Sequence, residues 1–410
     1  MNVGIVTTWF ARGAGYVSRQ LVEALSPQHN VLVYCRGGEK TGRGDPAWDA
    51  EYVTWGARPS IDETSAVDLH DFDNWLRRHR LDLVLFVEQR NWLPVLLCEQ
   101  RKIRTAAFVL HYTEETVPLF GCYDLLICCS RHHHDVFRDH PHAVHVPWGT
   151  DIGRFHPQGF DPVVKGAVTF FHSGGMNPRR KGTAFVLQAF RALTPGRAIA
   201  RLVVHAQSEL DRRSAELLPS LAGNENLIYI HQDVADLADL YRLGDVAVCP
   251  TRHEGLGLTV AEAAACGLAV LVTDAAPMNE NADGQAIRGI PVGLRVARSD
   301  GDYWPQTIVD AGALGRIMQE YVDNPGRLPA QKRAARDLAE ARFDWSKNAQ
   351  RLRDAIGTCV ALGPAKNAAV HAAEEYSARW AANFSFRRAA STFLGIRWPR
   401  AASVMRRMRS

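Results

Sequence analysis

The stretch DVAVCPTRHEGLGLTVAEAAACGLAVLVT, residues 245–273, decides the fold. Val246 to Cys249 is a short β-branched apolar run closed by Pro250, and TRHEGLG is a polar loop with two glycines. LTVAEAAAC then has the composition of a helix, Gly267 supplies its C-terminal stop, and Ala269 to Thr273 is a second apolar run. Strand, loop, helix and strand in that order make one parallel βαβ unit. Glu254 falls in the loop at the first strand's carboxyl end, and Glu262 falls on the helix about one turn from its start.

The same alternation runs along most of the chain, in two series. The first has strand-like runs at Val3–Thr7, Val31–Cys35, Leu83–Val87, Ala106–Leu110, Leu125–Cys128 and Ala143–Val146. The second has them at Val168–Phe171, Leu202–His205, Leu227–Ile230, Val246–Cys249 and Ala269–Thr273. Between the series lies VPWGTDIGRFHPQGFDP, rich in Gly, Pro and Asp, which reads as a linker. After about residue 300 the strands are expected to stop and helices to take over. The fold class is therefore α/β, with two Rossmann-like doubly wound parallel sheets facing across a cleft, where such folds bind ligands at the strands' carboxyl ends. The expected division is 1–147 for the first domain, 148–157 for the linker, 158–345 for the second domain, 346–375 for C-terminal helices crossing back, and 376–410 for a tail.

Length and composition agree with that division. A chain of 410 residues exceeds what one core serves, and 46% hydrophobic with 22% charged residues is ordinary for a soluble globular protein. No apolar run approaches the roughly 18 residues that cross a bilayer, and Met1 leads into VGIVTT without a secretory leader, so a cytoplasmic location is expected. The eight cysteines form no CxxC pair and several lie inside strand-like runs, which points to reduced, buried thiols. The net charge of +4 conceals an asymmetry: residues 376–410 hold eight arginines and no acid, leaving −4 on the rest of the chain. Arginines interleaved with Trp, Phe, Leu and Met suit contact with the anionic inner face of the cytoplasmic membrane, or else a packed helix with a basic end. No recognition motif accompanies the charge, so nucleic acid is not an expected partner.

Chemistry belongs at the cleft. Gly255 and Gly257 let the chain turn closely, and the helix that starts after them offers amides and a dipole to an anion such as a diphosphate. A carboxylate at Glu262 can accept two hydroxyl hydrogens from the cis-diol of a ribose, which leaves Glu254 for a sugar. The alternative is a surface helix whose acids merely favour its N-terminal dipole. SRHHHDVFRDHPHAVH, residues 130–145, tempts as a metal site, but adjacent helical residues point about 100° apart and Ser130 reads as an N-cap, so no metal is expected. TTWFARGAGYVSRQL carries Gly13 and Gly15, but Ser18 stands where a dinucleotide fingerprint needs a third glycine, and Arg36 where it needs an acid.

With these residues in place, the sequence resembles the retaining glycosyltransferases of family 4, which have the two-domain GT-B fold and the signature E-G-[FL]-G-[LI]-x-x-x-E-A. Glu254, Gly255, Leu256, Gly257, Leu258, Glu262 and Ala263 match it. LADLYRLGDVAVCPTR and CGLAVLVTDAAPMNE are similar to the family's flanking segments, and VPWGTDIGRFHP to its interdomain segment, with Trp148 replacing the usual Asn. The resemblance covers roughly residues 1 to 355 and leaves the tail outside.

The resemblance implies transfer of a sugar from a nucleotide-diphosphate donor, UDP- or GDP-sugar first among them, to the hydroxyl of a glycan, lipid or small-molecule acceptor, with no further cofactor. It carries a donor-sugar contact onto Glu254, a ribose contact onto Glu262 and a diphosphate cation onto Lys181, which precedes Gly182 as in the family's K-G element. The family's partner arginine would fall at Met176 or Gly175, so Arg180 or Arg179 must supply the second cation. Gly13 and Gly15 become backbone contacts to the donor, and His111, at the end of a first-half strand, a contact to its sugar. Two rival readings remain: a sugar-nucleotide epimerase of similar fold, and a non-catalytic module binding sugar nucleotides or membranes.

Overall fold

A computed structural model of the chain describes residues 1–37, 41–59, 65–157, 166–218, 223–234, 236–297 and 306–379. The first half builds a seven-stranded sheet from β1 (Asn2–Thr7), β2 (Asn30–Cys35), β3 (Val53–Trp55), β4 (Leu83–Val87), β5 (Arg104–Val109), β6 (Leu125–Cys128) and β7 (Ala143–His145). Its order is β3-β2-β1-β4-β5-β6-β7, with every pair parallel. The second half builds a six-stranded sheet from β8 (Ala167–Gly175), β9 (Ile199–Ala206), β10 (Leu227–His231), β11 (Val246–Cys249), β12 (Ala269–Thr273) and β13 (Ile287–Ile290). The order here is β10-β9-β8-β11-β12-β13, again all parallel. In both sheets the order reverses beside the first strand, and this leaves a crevice at the carboxyl ends.

The central strand β4 shows why the sequence folds this way. All five residues of LVLFV are buried, with Leu83, Leu85 and Val87 in one apolar cluster and Val84 and Phe86 in another. Alternate side chains point to opposite faces, so a strand apolar at every position must be covered on both. Helix Gly13–Leu25 covers one face through Val17, Leu21 and Leu25, and helix Leu69–His79 covers the other through Phe72, Trp75 and Leu76.

Four strands escape the sequence reading. β3 and β13 extend the sheet edges, and β14 (Val292–Val296) pairs antiparallel with β15 (Gln306–Val309), so strands do not stop at residue 300. β3 is three half-buried residues and β13 reads IRGI, with Arg and Gly in its middle. Neither offers the unbroken apolar run that marks a central strand.

The chain returns to its first half at the end. Thr150 N–H donates to Phe343 O at 2.8 Å and Trp345 N–H to Thr150 O at 3.1 Å, which ties the linker to the entry of helix Trp345–Gly357. That helix then buries Trp345, Leu352 and Ile356 in the first sheet's cluster, beside helix Gly13–Leu25. Trp148, the residue in place of the family's Asn, packs against Trp345 at a centroid distance of 4.0 Å with the rings tilted by 37°, and donates to Gln20 at 2.9 Å. Further on, Lys366 pairs with the fully buried Asp124 at 2.9 Å and also with Glu99, and a final helix over 367–379 sets Ala373 against the first sheet's other face. Most of the basic tail, residues 380–410, lies outside the described residues.

Candidate active site

The loop 250–257 is zipped to the turn 177–182 by backbone and side-chain bonds. Asn177 accepts the Arg180 N–H and starts the short helix Pro178–Lys181, and Arg252 donates its N–H to Arg180 O at 2.8 Å. Gly182 ends that helix in the left-handed region, φ +80°, where a Cβ would also stand 2.2 Å from Pro250 O. Only glycine fits both demands. The result is that two cations meet one acid: Lys181 Nζ lies 2.5 Å from Glu254 Oε2, and Arg180 Nη1 lies 3.2 Å from Oε1. Arg179 is exposed, and Arg180 is the arginine that meets Glu254.

Burial alone would raise the Glu254 carboxyl, but Lys181 and then Arg180 hold it well below the ordinary carboxylate range. Glu254 is an anion throughout the working pH range. Glu262 is the opposite case. Burial pushes its carboxyl up to about 7, against the pull of a hydrogen bond from Tyr241 and of the Lys181 charge, while Glu254 repels the ionised form. The buried Tyr241 hydroxyl donates to Glu262 Oε2 at 2.7 Å. Lys181, Glu254 and Glu262 thus act on one another's charge, although they lie far apart in sequence.

Helix Leu258–Ala265 begins at Gly257, φ +69°, with no side chain capping its amides. A cleft of about 360 Å³ opens on it, walled by Glu254, Gly255, Leu256, Gly257 and Leu258 from the second domain and by Cys129 to Arg131, His145 and Pro147 to Gly149 from the first half and linker. Gly255 comes close to the first half: a Cβ there would stand 2.8 Å from Leu110 Cδ2, and the Cys129 thiol reaches its carbonyl at 3.5 Å. Glu262 lies outside that wall.

The first-half candidates His111, Gly13 and Gly15 are not among the residues that wall this cleft. His111 follows β5 with Nε2 3.9 Å from Glu88 Oε1, and Glu88 also meets Arg12 at 3.4 Å. Gly13 is exposed at the uncapped start of helix Gly13–Leu25, with open space where a Cβ would be. Gly15 is buried, and a Cβ there would stand 2.1 Å from Phe10 O and about as close as contact allows to Trp48. Its place in the sequence follows from this packing.

The histidine run resolves as its helical phase requires. Ser130 accepts the His133 N–H, and His133 points inward with Nδ1 3.2 Å from Cys129 Sγ, where burial lowers it to about 3. Among the described residues no group of three or more His, Cys, Asp and Glu side chains is placed to hold a metal ion. No helix among them is long and apolar enough to cross a membrane.

Sequence reasoning missed Tyr241, which lay inside a quoted segment with no sign of its partner, and His172. The latter is buried on β8, bonded to Val248 O at 2.7 Å and to Thr183 Oγ1 at 2.9 Å, and lowered to about 4 by burial. It pins β8 to β11 behind Lys181.

Two parallel sheets of this order with a charged, glycine-lined cleft between them define the GT-B class. Solved structures of that shape superpose over most of the chain: an Anabaena protein, Alr3699/HepE, in complex with UDP and glucose has a TM-score of 0.65 at 15% identity, covering 87% of this chain and 100% of that one. A sucrose-phosphate synthase from Thermosynechococcus elongatus has 0.65 at 16%, covering 87% and 98%. Residues 167–309 match the family described as "Glycosyl transferases group 1". A lipopolysaccharide core biosynthesis mannosyltransferase, LpsB, from Rhizobium meliloti is 28% identical over 275 residues, 62% of this chain and 71% of that protein. A GDP-mannose-dependent monoacylated phosphatidylinositol monomannoside mannosyltransferase from Corynebacterium glutamicum is 25% identical over 273 residues, 62% and 64%. These likenesses support a family 4-like glycosyltransferase.

Proposed function

We propose that the chain moves a sugar from a UDP- or GDP-sugar to an acceptor hydroxyl with retention of configuration. The observation that carries this reading is the Lys181–Glu254–Arg180 cluster set beside Glu262 and the open start of helix Leu258–Ala265. Lys181, Arg180 and the Gly257 to Leu258 amides would take the diphosphate, and the open amides near Gly13 would reach it from the first domain. Glu262 would hold the ribose diol, and Glu254 and His111 the donor sugar. Entry of the diphosphate gives the two cations a second anion to neutralise, which frees Glu254 to accept sugar hydroxyls. No carboxylate among these is placed as a separate nucleophile, so attack from the leaving-group face, with a phosphate oxygen taking the acceptor proton, suits the cluster.

Residues 158–345 would be the donor side and 1–147 the acceptor side, joined through 148–157 and re-joined by 346–375. UDP and GDP come first because the names of the similar proteins contain them. The acceptor class follows those same names toward a glycan or glycolipid, and the arginines of 376–410 would hold the enzyme on the inner face of the membrane. A thermal-shift panel of UDP, GDP, ADP and dTDP tests the donor, because a ligand that binds only the folded form raises apparent stability with its affinity. No shift with any of the four would defeat the reading, and the anomeric signal of the product by NMR decides retention. Liposome sedimentation with and without 376–410 tests the tail, equal binding by both forms dismissing it.

A further inference from the structure

We propose that Glu280 is a positioning residue for transfer: it clasps the second domain onto the first and so fixes the reacting geometry. Its carboxylate lies across the cleft from its own domain. Oε2 accepts the Arg131 N–H at 2.9 Å and Oε1 the His132 N–H at 2.7 Å. The first four amides of a helix have no partner within it. At helix Arg131–Val136 the His134 N–H makes the first helical bond, to Ser130 O, and of the amides before it Ser130 Oγ takes that of His133 while Glu280, from the other domain, takes those of Arg131 and His132.

The loop that presents Glu280 is held at both ends. Asn279 donates to Asp274 at 2.9 Å, the Glu280 N–H donates to Pro277 O, and Asp283 accepts the amides of Gln285, Ala286 and Ile287. A carboxylate on so anchored a loop cannot follow the first domain if the halves part. The segment it grips also carries Cys129, whose thiol meets Gly255 O, and Gly255 rests on Leu110, the residue before His111. Glu280 therefore sets the distance between His111 in one domain and Glu254 in the other, while Lys181, Arg180, Glu254 and Glu262 all belong to its own domain. Glu280 also lines the cleft, but its carboxylate is already engaged by the Arg131 and His132 amides, so losing it should impair turnover far more than nucleotide binding. The sequence shows none of this, because the contact spans 149 positions.

The turnover arm rests on the donor reading above; the shape arm does not. Full-length wild type, Glu280→Ala and Glu280→Gln are compared by small-angle scattering with and without UDP or GDP, by calorimetric titration of the same nucleotides, and by nucleotide release from UDP-glucose and GDP-mannose. We expect Glu280→Ala to enlarge the radius of gyration, to leave nucleotide affinity within about twofold, and to lower kcat at least tenfold with little change in KM. Glu280→Gln, which keeps one acceptor oxygen at the same reach, should fall between. Unchanged scattering and kcat in Glu280→Ala, or equal loss of nucleotide affinity and turnover, would overturn the proposal. If no nucleotide binds wild type, the donor reading fails while scattering still decides the clasp, and if Glu280→Ala does not fold, Glu280→Gln carries the comparison.

Discussion

At the scale of the residue, the two acids of the motif are tuned in opposite directions. Glu262, raised to about 7 by burial, binds its proton more tightly in the folded chain than in the unfolded one. Stability contributed by that proton is present at low pH and is lost as pH rises toward and through 7. Ligation runs the other way, because only the carboxylate accepts both hydroxyls of a diol. Nucleotide affinity should therefore increase several-fold between pH 6 and 8, and calorimetry on Glu262→Gln should show weaker binding without that step. Glu254, held low by Lys181 and Arg180, stabilises the fold above the ordinary carboxylate range and loses this only as acid protonates it. Replacing it by Ala strands a cation whose side chain is only 12% exposed, which should cost roughly 3 kcal/mol in denaturant unfolding. Added nucleotide should recover part of that loss, since phosphate replaces the missing anion. Tyr241→Phe removes one hydrogen bond to Glu262 and should cost about 1 kcal/mol.

At the scale of the element, Gly182 has little freedom. A methyl group there meets Pro250 O and forces a left-handed backbone onto alanine, so Gly182→Ala should destabilise by about 2–4 kcal/mol and displace Lys181. Thermal unfolding reads the first effect and nucleotide titration the second. The same element shows how far the sequence could be read. K-G and E-x7-E are local spacings, and the strands beside them are apolar at nearly every position, so both motifs and the central strands were legible. What was not legible depends on neighbours distant in the chain. Whether Arg179 or Arg180 faces Glu254 is set by the turn that Asn177 begins, and the packing of Gly15 against Phe10 O and Trp48 shows only in the fold. β3, β13 and the β14–β15 hairpin are short and carry polar residues, because an edge strand needs only one covered face.

At the scale of the whole molecule, two contacts hold the returning end of the chain on the first domain. Trp148 packs against Trp345, and Asp124, completely buried, binds Lys366, the Leu362 N–H and the Thr105 N–H. Asp124→Asn leaves the Lys366 ammonium with only Glu99, and breaking a buried pair costs about 3–5 kcal/mol. Denaturant titration should show this loss in the transition of the first domain rather than the second, because each partner of Asp124 packs on the first sheet.

The returning helix has a further consequence, for synthesis. Trp345, Ala349, Leu352, Ala355, Ile356 and Cys359 complete a core whose other buried members are all made before residue 149. A ribosome must therefore translate the entire second domain before the first can shut its apolar face, so a nascent chain released early would expose that face to chaperones or to aggregation.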